Sequence, residues 1–181
     1  MVCIYNPSDA LSLFSNEIET FREACYRNGL SYETRVVKFQ ECLSDEAISR
    51  RTGFAAGEEL YYIMRIHIID GEPLILNHNY FLKSVAKGLT AEIAAHSVYD
   101  HLENTLGVVI VSAKRTITVQ KVTPDDKKYL NIPAHDYNCL AVMTNHTYES
   151  NGILFEHTES RHLPSHFLFS STATRISSRT R

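Results

Sequence analysis

The sequence predicts an α+β domain, an antiparallel sheet with helices on one face. Three observations carry this. Residues 59–69 alternate like a strand and run into the turn pair Asp70-Gly71. A second pair of alternating segments flanks Ser150-Asn151-Gly152. Between the two hairpins lie stretches with helical spacing, capping residues and glycine stops.

The first element is a helix over Asn16–Asn28. Ser15 stands at its N-cap, Ile18, Phe21 and Cys25 repeat at helical spacing, and Gly29 supplies a left-handed stop. A strand follows over Arg35–Cys42, then a short helix over Ser44–Thr52 that opens with acids. In the strand Glu59–Ile69, Leu60, Tyr62, Met64, Ile66 and Ile68 form one apolar face, while Tyr61, Ile63, Arg65, His67 and Ile69 form the other. Glu72–Phe81 is the return strand.

A helix over Ser97–Leu106 comes next, capped by Ser97, with Val98, Leu102 and Leu106 on one side and Gly107 as the stop. A β-branched strand runs from Val108 to Val122. Thr123-Pro124-Asp125-Asp126 then opens another helix with a cap, a proline at the first helical position and acids in the first turn. Asn138–Tyr148 and Gly152–His162 form the second hairpin, and Phe167–Thr174 is the last strand. The Ser/Thr/Arg-rich end is expected to fray.

Composition narrows the function. The 181 residues carry a formal net charge of −3, with 44% hydrophobic and 22% charged residues. That is one ordinary globular domain, 1–181, without the basic excess of a nucleic-acid binder. Cys3, Cys25, Cys42 and Cys139 form no metal or redox spacing and read as reduced thiols of a cytoplasmic protein. No apolar run approaches membrane-spanning length. The nine histidines lack ligand spacing, so no metal is expected. No nucleophile elbow, P-loop or dinucleotide fingerprint is present, and no cofactor is expected.

Three polar residues stand where an anion would want them. Ser15 and Ser97 each cap a helix, and a helix start offers free N–H groups and the positive end of the dipole. Arg65 lies mid-strand, a costly place for a guanidinium without an anionic partner; a structural glutamate would satisfy it equally well.

Tyr62-Ile-Met-Arg65-Ile-His67, the turn Asp70-Gly71-Glu72-Pro73 and the return strand through Tyr80 resemble the central hairpin of UTRA domains, the effector-binding halves of GntR/HutC-type regulators. Phe14-Ser15, Ser97-Val98-Tyr99 before Leu102 and Gly107, Leu130-Asn131-Ile132, and Asn151-Gly152-Ile153-Leu154-Phe155-Glu156 with Thr158 and Ser160 extend the resemblance over the whole chain. It implies a chorismate-lyase-like fold whose pocket senses a phosphorylated sugar or similar acidic metabolite without chemistry. It implies that Ser15, Arg65, Ser97 and Tyr99 hold the anion and Glu156 reads hydroxyls. His67 stands where a second arginine is common, Asn77 where an acid is common, and His162 where a tyrosine is expected. His67 would either share the anion's charge when protonated or stay a neutral histidine.

The resemblance also implies a homodimer that reaches operator DNA through a winged helix-turn-helix domain absent from this chain. The alternative is a chorismate-lyase-like enzyme of the same fold. For Arg65 and Asn77 to share the pocket, paired positions must sum to an even number, which predicts an odd-length loop at Asp70-Gly71; a two-residue turn would send Asn77 to the core.

Overall fold

The strand read over 59–69 is β3, Glu59–Ile69, and its return strand is β4, Glu72–Leu82. They belong to a computed structural model that describes residues 11–14, 18–132 and 137–171. The other strands of the main sheet are β2, Tyr32–Leu43, β5, Ile110–Lys121, β6, Cys139–Glu149, and β7, Leu154–His162. Their order across the sheet is β2-β3-β4-β7-β6-β5, antiparallel throughout. The antiparallel α+β architecture expected from the sequence is the one observed. A strand that the sequence pattern did not disclose, β1 at Leu11–Phe14, pairs in parallel with β8, Phe167–Ser170.

The turn between β3 and β4 departs from expectation in an instructive way. Ile69 pairs with Glu72, so Asp70-Gly71 is a two-residue loop, with φ of 49° and 85°. Positive φ at both positions is what a right-twisted hairpin needs, and aspartate followed by glycine supplies it. Asn77 nevertheless does not go to the core. Pairing shifts between His67 and Ile68, leaving Leu74 as one extra residue on β4, so Arg65 is paired with Asn77 after all. A β-bulge thus restores the even register that the loop was expected to supply. Leu74 keeps its carbonyl occupied, accepting from the Leu163 N–H at 3.3 Å.

The first helix, α1, spans Phe21–Arg27 rather than starting at Asn16. Its cap is Thr20, whose hydroxyl accepts from Glu23 N while Glu23 accepts from Thr20 N at 2.8 Å. Thr20-Phe-Arg-Glu23 is a reciprocal capping box, which Ser15 lacks for want of an acid three residues on. Ser15 itself lies outside the described residues. Thr90 caps α3, Ala91–His96; the backbone then breaks at Ser97, whose hydroxyl accepts from Asp100 N to start α4, Val98–Asp100. The chain continues in a π-helical turn over His101–Thr105 and stops at Gly107, as the sequence predicts.

Two more short helices, α2 at Glu46–Thr52 and α5 at Pro124–Tyr129, meet the opposite face of the sheet. From α5, Asp126 forms a buried ion pair with Arg161 of β7 at 2.8 Å. From α2, Arg51 reaches Glu159 at 3.2 Å. Leu60, Ile63, Leu76, Phe81, Leu102, Leu140, Val142 and Phe155 are among the fully buried side chains of the core. Cys25, Cys42 and Cys139 are free thiols. Among the described residues no helix is long and apolar enough to cross a membrane.

Candidate functional site

Alternation along four neighbouring strands sends one set of side chains to the face under α1, α3 and α4. The ladder aligns Arg65 of β3 with Asn77 of β4, Ser160 of β7 and Met143 of β6, and the next row places Asn79 beside Thr158 and Asn145. These residues, with His67, Glu156 and His162 of the sheet and Thr20, Phe21, Ser97 and Tyr99 above it, line a cavity of about 140 Å³. At about 10–15 Å³ per water, that is room for on the order of ten waters, the size of a small metabolite.

A continuous set of hydrogen bonds runs across the floor. Arg65 Nε donates to Asn79 Oδ1 at 3.0 Å, and Asn79 Nδ2 donates to Thr158 Oγ1 at 2.6 Å. Thr158 in turn donates to Glu156 Oε1 at 2.7 Å. The other carboxylate oxygen of Glu156 accepts from Tyr99 at 2.5 Å and from Thr147 at 2.9 Å. Arg65 Nη1 also donates to the Ala94 carbonyl of α3 at 3.3 Å. Both Arg65 partners are neutral, and among the described residues no carboxylate lies within 4.0 Å of its guanidinium. The cation is held in place without being neutralised by a direct partner.

Electrostatics follow from burial. Desolvation lowers the Arg65 pKa, opposed by Glu156 and Tyr99; a guanidinium remains charged regardless. Burial, then Glu156, raises the Tyr99 phenol well above its usual value, so it donates and stays neutral. Burial, aided by Arg65 and His162, holds His67 well below its usual pKa. Burial alone takes His162 down to about 3. The His67 imidazole is therefore neutral near neutral pH.

The structure brings Arg65, His67, Asn77, Ser97, Tyr99, Glu156 and His162 to one cavity. Ser15 lies outside the described residues. Sequence reasoning missed Asn79, Asn145 and Phe21, and it did not assign Thr158 a place in the site. A signal for β7 existed: Glu156, Thr158, Ser160 and His162 are consecutive same-face residues, all polar and all buried. Four buried polar positions on one face of an inner strand point to a lined cavity rather than packing.

Comparison with known proteins bears on the family and the fold. The family model described as "UTRA domain" matches residues 27–167. The HTH-type transcriptional regulator TreR of Bacillus subtilis is 30% identical over 150 residues, which cover 83% of this chain and 62% of TreR. The solved effector binding domain of the B. subtilis trehalose repressor superposes with a TM-score of 0.70 at 30% identity, covering 80% of this chain and 99% of that one. PhnF from Mycobacterium smegmatis, at 15% identity, shares the fold with a TM-score of 0.79 over 92% of this chain and 73% of its own. TreR and GmuR of B. subtilis are both described as HTH-type transcriptional regulators. The chain spans about three fifths of the length of the curated relatives it matches, 62% of TreR and 58% of GmuR.

Proposed function

The chain belongs to the UTRA domain family, and on that premise we propose that it is the sensor of a GntR-family transcription regulator whose effector is a small acidic metabolite, a phosphorylated sugar or a compound of similar charge. The observation that carries the acidic class is Arg65: a guanidinium in a covered cavity whose direct partners are one amide oxygen and one backbone carbonyl. A half-buried cation satisfied only by neutral acceptors gains from an anion.

In this reading the anion binds Arg65, with the Ser97 region supplying further donors and Tyr99, whose one O–H goes to Glu156, lining the wall beside it. Glu156, Asn77 and His162 face the rest of the molecule. No bond is made or broken; the effector acts by binding one arrangement of the protein better than another. Operator DNA is reached through a DNA-binding domain outside this chain, and two copies associate, as a twofold operator requires.

Thermal-shift titration with inorganic phosphate and a panel of phosphate esters and sugar acids tests the effector class. Stabilisation by anionic compounds that disappears in Arg65→Ala is the expected result. Equal stabilisation of both proteins would overturn it. Sedimentation at tens of micromolar tests association, with a strict monomer as the contrary outcome.

A further inference from the structure

Both ring nitrogens of His67 are already engaged. Nδ1 lies 3.0 Å from Thr34 Oγ1, and Nε2 lies 2.8 Å from Asn77 Nδ2. Phe21 covers one face of the ring, with centroids 3.9 Å apart and planes inclined by 26°. A neutral imidazole that accepts at Nε2 carries its proton on Nδ1 and donates it to Thr34. The Asn77 amide nitrogen is then turned toward His67, and its oxygen is turned away.

That oxygen has no partner. Asn77 Oδ1, Asn145 Oδ1 and His162 Nε2 are buried polar atoms without hydrogen bonds, and all three residues line the cavity. Asn77 and His162 are 7% and 3% exposed. Buried acceptors left bare cost free energy, so an occupant that brings donors to them is favoured over one that does not. Turning the Asn77 oxygen away from His67 also suits Arg65, its cross-strand neighbour, because the reversed amide would add donors beside a guanidinium.

We propose that His67 is a positioning residue and not an anion contact: it fixes the Asn77 amide so that Oδ1, together with Asn145 Oδ1, selects an effector with hydroxyl groups next to its anionic group. This rests on the assignment of the anion to Arg65. It adds the feature that separates one acidic metabolite from another, and it assigns that selection to two amide oxygens oriented or exposed by the fold.

Two small probes share a phosphate monoester and differ in hydroxyls: glycerol 3-phosphate has two, propyl phosphate none. Calorimetric titration of the chain is expected to give glycerol 3-phosphate an affinity at least about tenfold higher, the value of one well-made hydrogen bond to a buried acceptor. Asn77→Leu should bring the ratio close to one. His67→Phe keeps the stack on Phe21 but frees the amide to turn, so the ratio should fall. Adding Asn77→Asp in that background should restore it, since a carboxylate presents an oxygen either way. Long-range ¹⁵N spectra of the unmodified protein should place the His67 proton on Nδ1, a readout that does not depend on any variant folding. Equal affinity for the two probes, or a proton on Nε2, overturns the proposal alone. Binding of neither probe overturns the Arg65 assignment and the proposal with it.

Discussion

Arg65 and Asn77 stand opposite each other across the β3–β4 ladder, yet neither is the other's hydrogen-bond partner. Arg65 turns its Nε to Asn79, two residues along, and Asn77 turns its amide nitrogen to His67. The pair therefore presents a cation and a bare carbonyl oxygen side by side to one cavity.

Replacing that cation should cost most of the anion affinity. Arg65→Ala is expected to weaken binding of a phosphate ester by about 2–4 kcal/mol, the loss of a charge-assisted contact. Arg65→Lys should recover only part of it, because an ammonium lacks the planar fork. Calorimetric titration of the three proteins measures the order; a lysine variant equal to the parent would show that charge alone is read.

Ser97→Ala should behave differently. Its hydroxyl accepts from Asp100 N at 3.2 Å and caps α4, so the expected loss is about 1 kcal/mol of stability. The effect on anion binding should be smaller than that of Arg65→Ala. A reversed ranking would mean that the cavity reads hydroxyl geometry before charge.

Acid should loosen the fold through histidine. His162 titrates near 3 in the folded protein against an ordinary 6.5, because burial penalises the imidazolium. A depressed base stabilises the fold fully above about pH 6.5, and this contribution is lost as pH falls toward 3, since the unfolded chain takes up the proton first. At pH 5 one such group accounts for about 2 kcal/mol. Urea titrations at pH 7.5 and pH 5 should therefore show His162→Gln losing less stability on acidification than the parent; identical losses would refute the assignment.

On the far face of the sheet, Asp126→Ala should destabilise by about 3–5 kcal/mol. The aspartate and Arg161 are both almost wholly buried, and removing one strands the other. Arg161 also donates to Gln120, Glu159 and the Lys121 carbonyl, so its own truncation should be at least as harmful. Equilibrium unfolding in urea gives both numbers.

Much of this architecture was legible because local signals and tertiary packing agree. The β3 alternation, the position of the turn at Asp70-Gly71 though not its two-residue length, the Thr123-Pro124 helix start and the Ser97 cap were read correctly from the chain. The first helix was misplaced because a serine was preferred to a threonine, although only Thr20 has a glutamate three residues on. Arg65 and Glu156 stood out as charges in buried strands. Asn79 and Asn145 did not, because an uncharged amide in a strand reads the same whether it faces a cavity or solvent. Strand β1 was invisible for another reason: its partner β8 lies more than 150 residues away, and no local pattern reports so distant a parallel pairing.

The bulge at Leu74 gives this hairpin a phase of its own. The tightest turn available sets strand polarity one step out, and a single inserted residue sets it back. Every side chain of β4 beyond that point, Asn77 and Asn79 included, owes its facing to a leucine that does not line the cavity. Substituting Leu74 by isoleucine changes packing alone, and deleting it would remove the bulge yet leave Asn77 opposite Arg65; regular pairing of the intact strand through Leu74 is what would exchange Asn77 and Asn79 for Leu76 and His78. Binding is thus exposed to loss by a one-residue slip of pairing at this hairpin far more than by most substitutions in it.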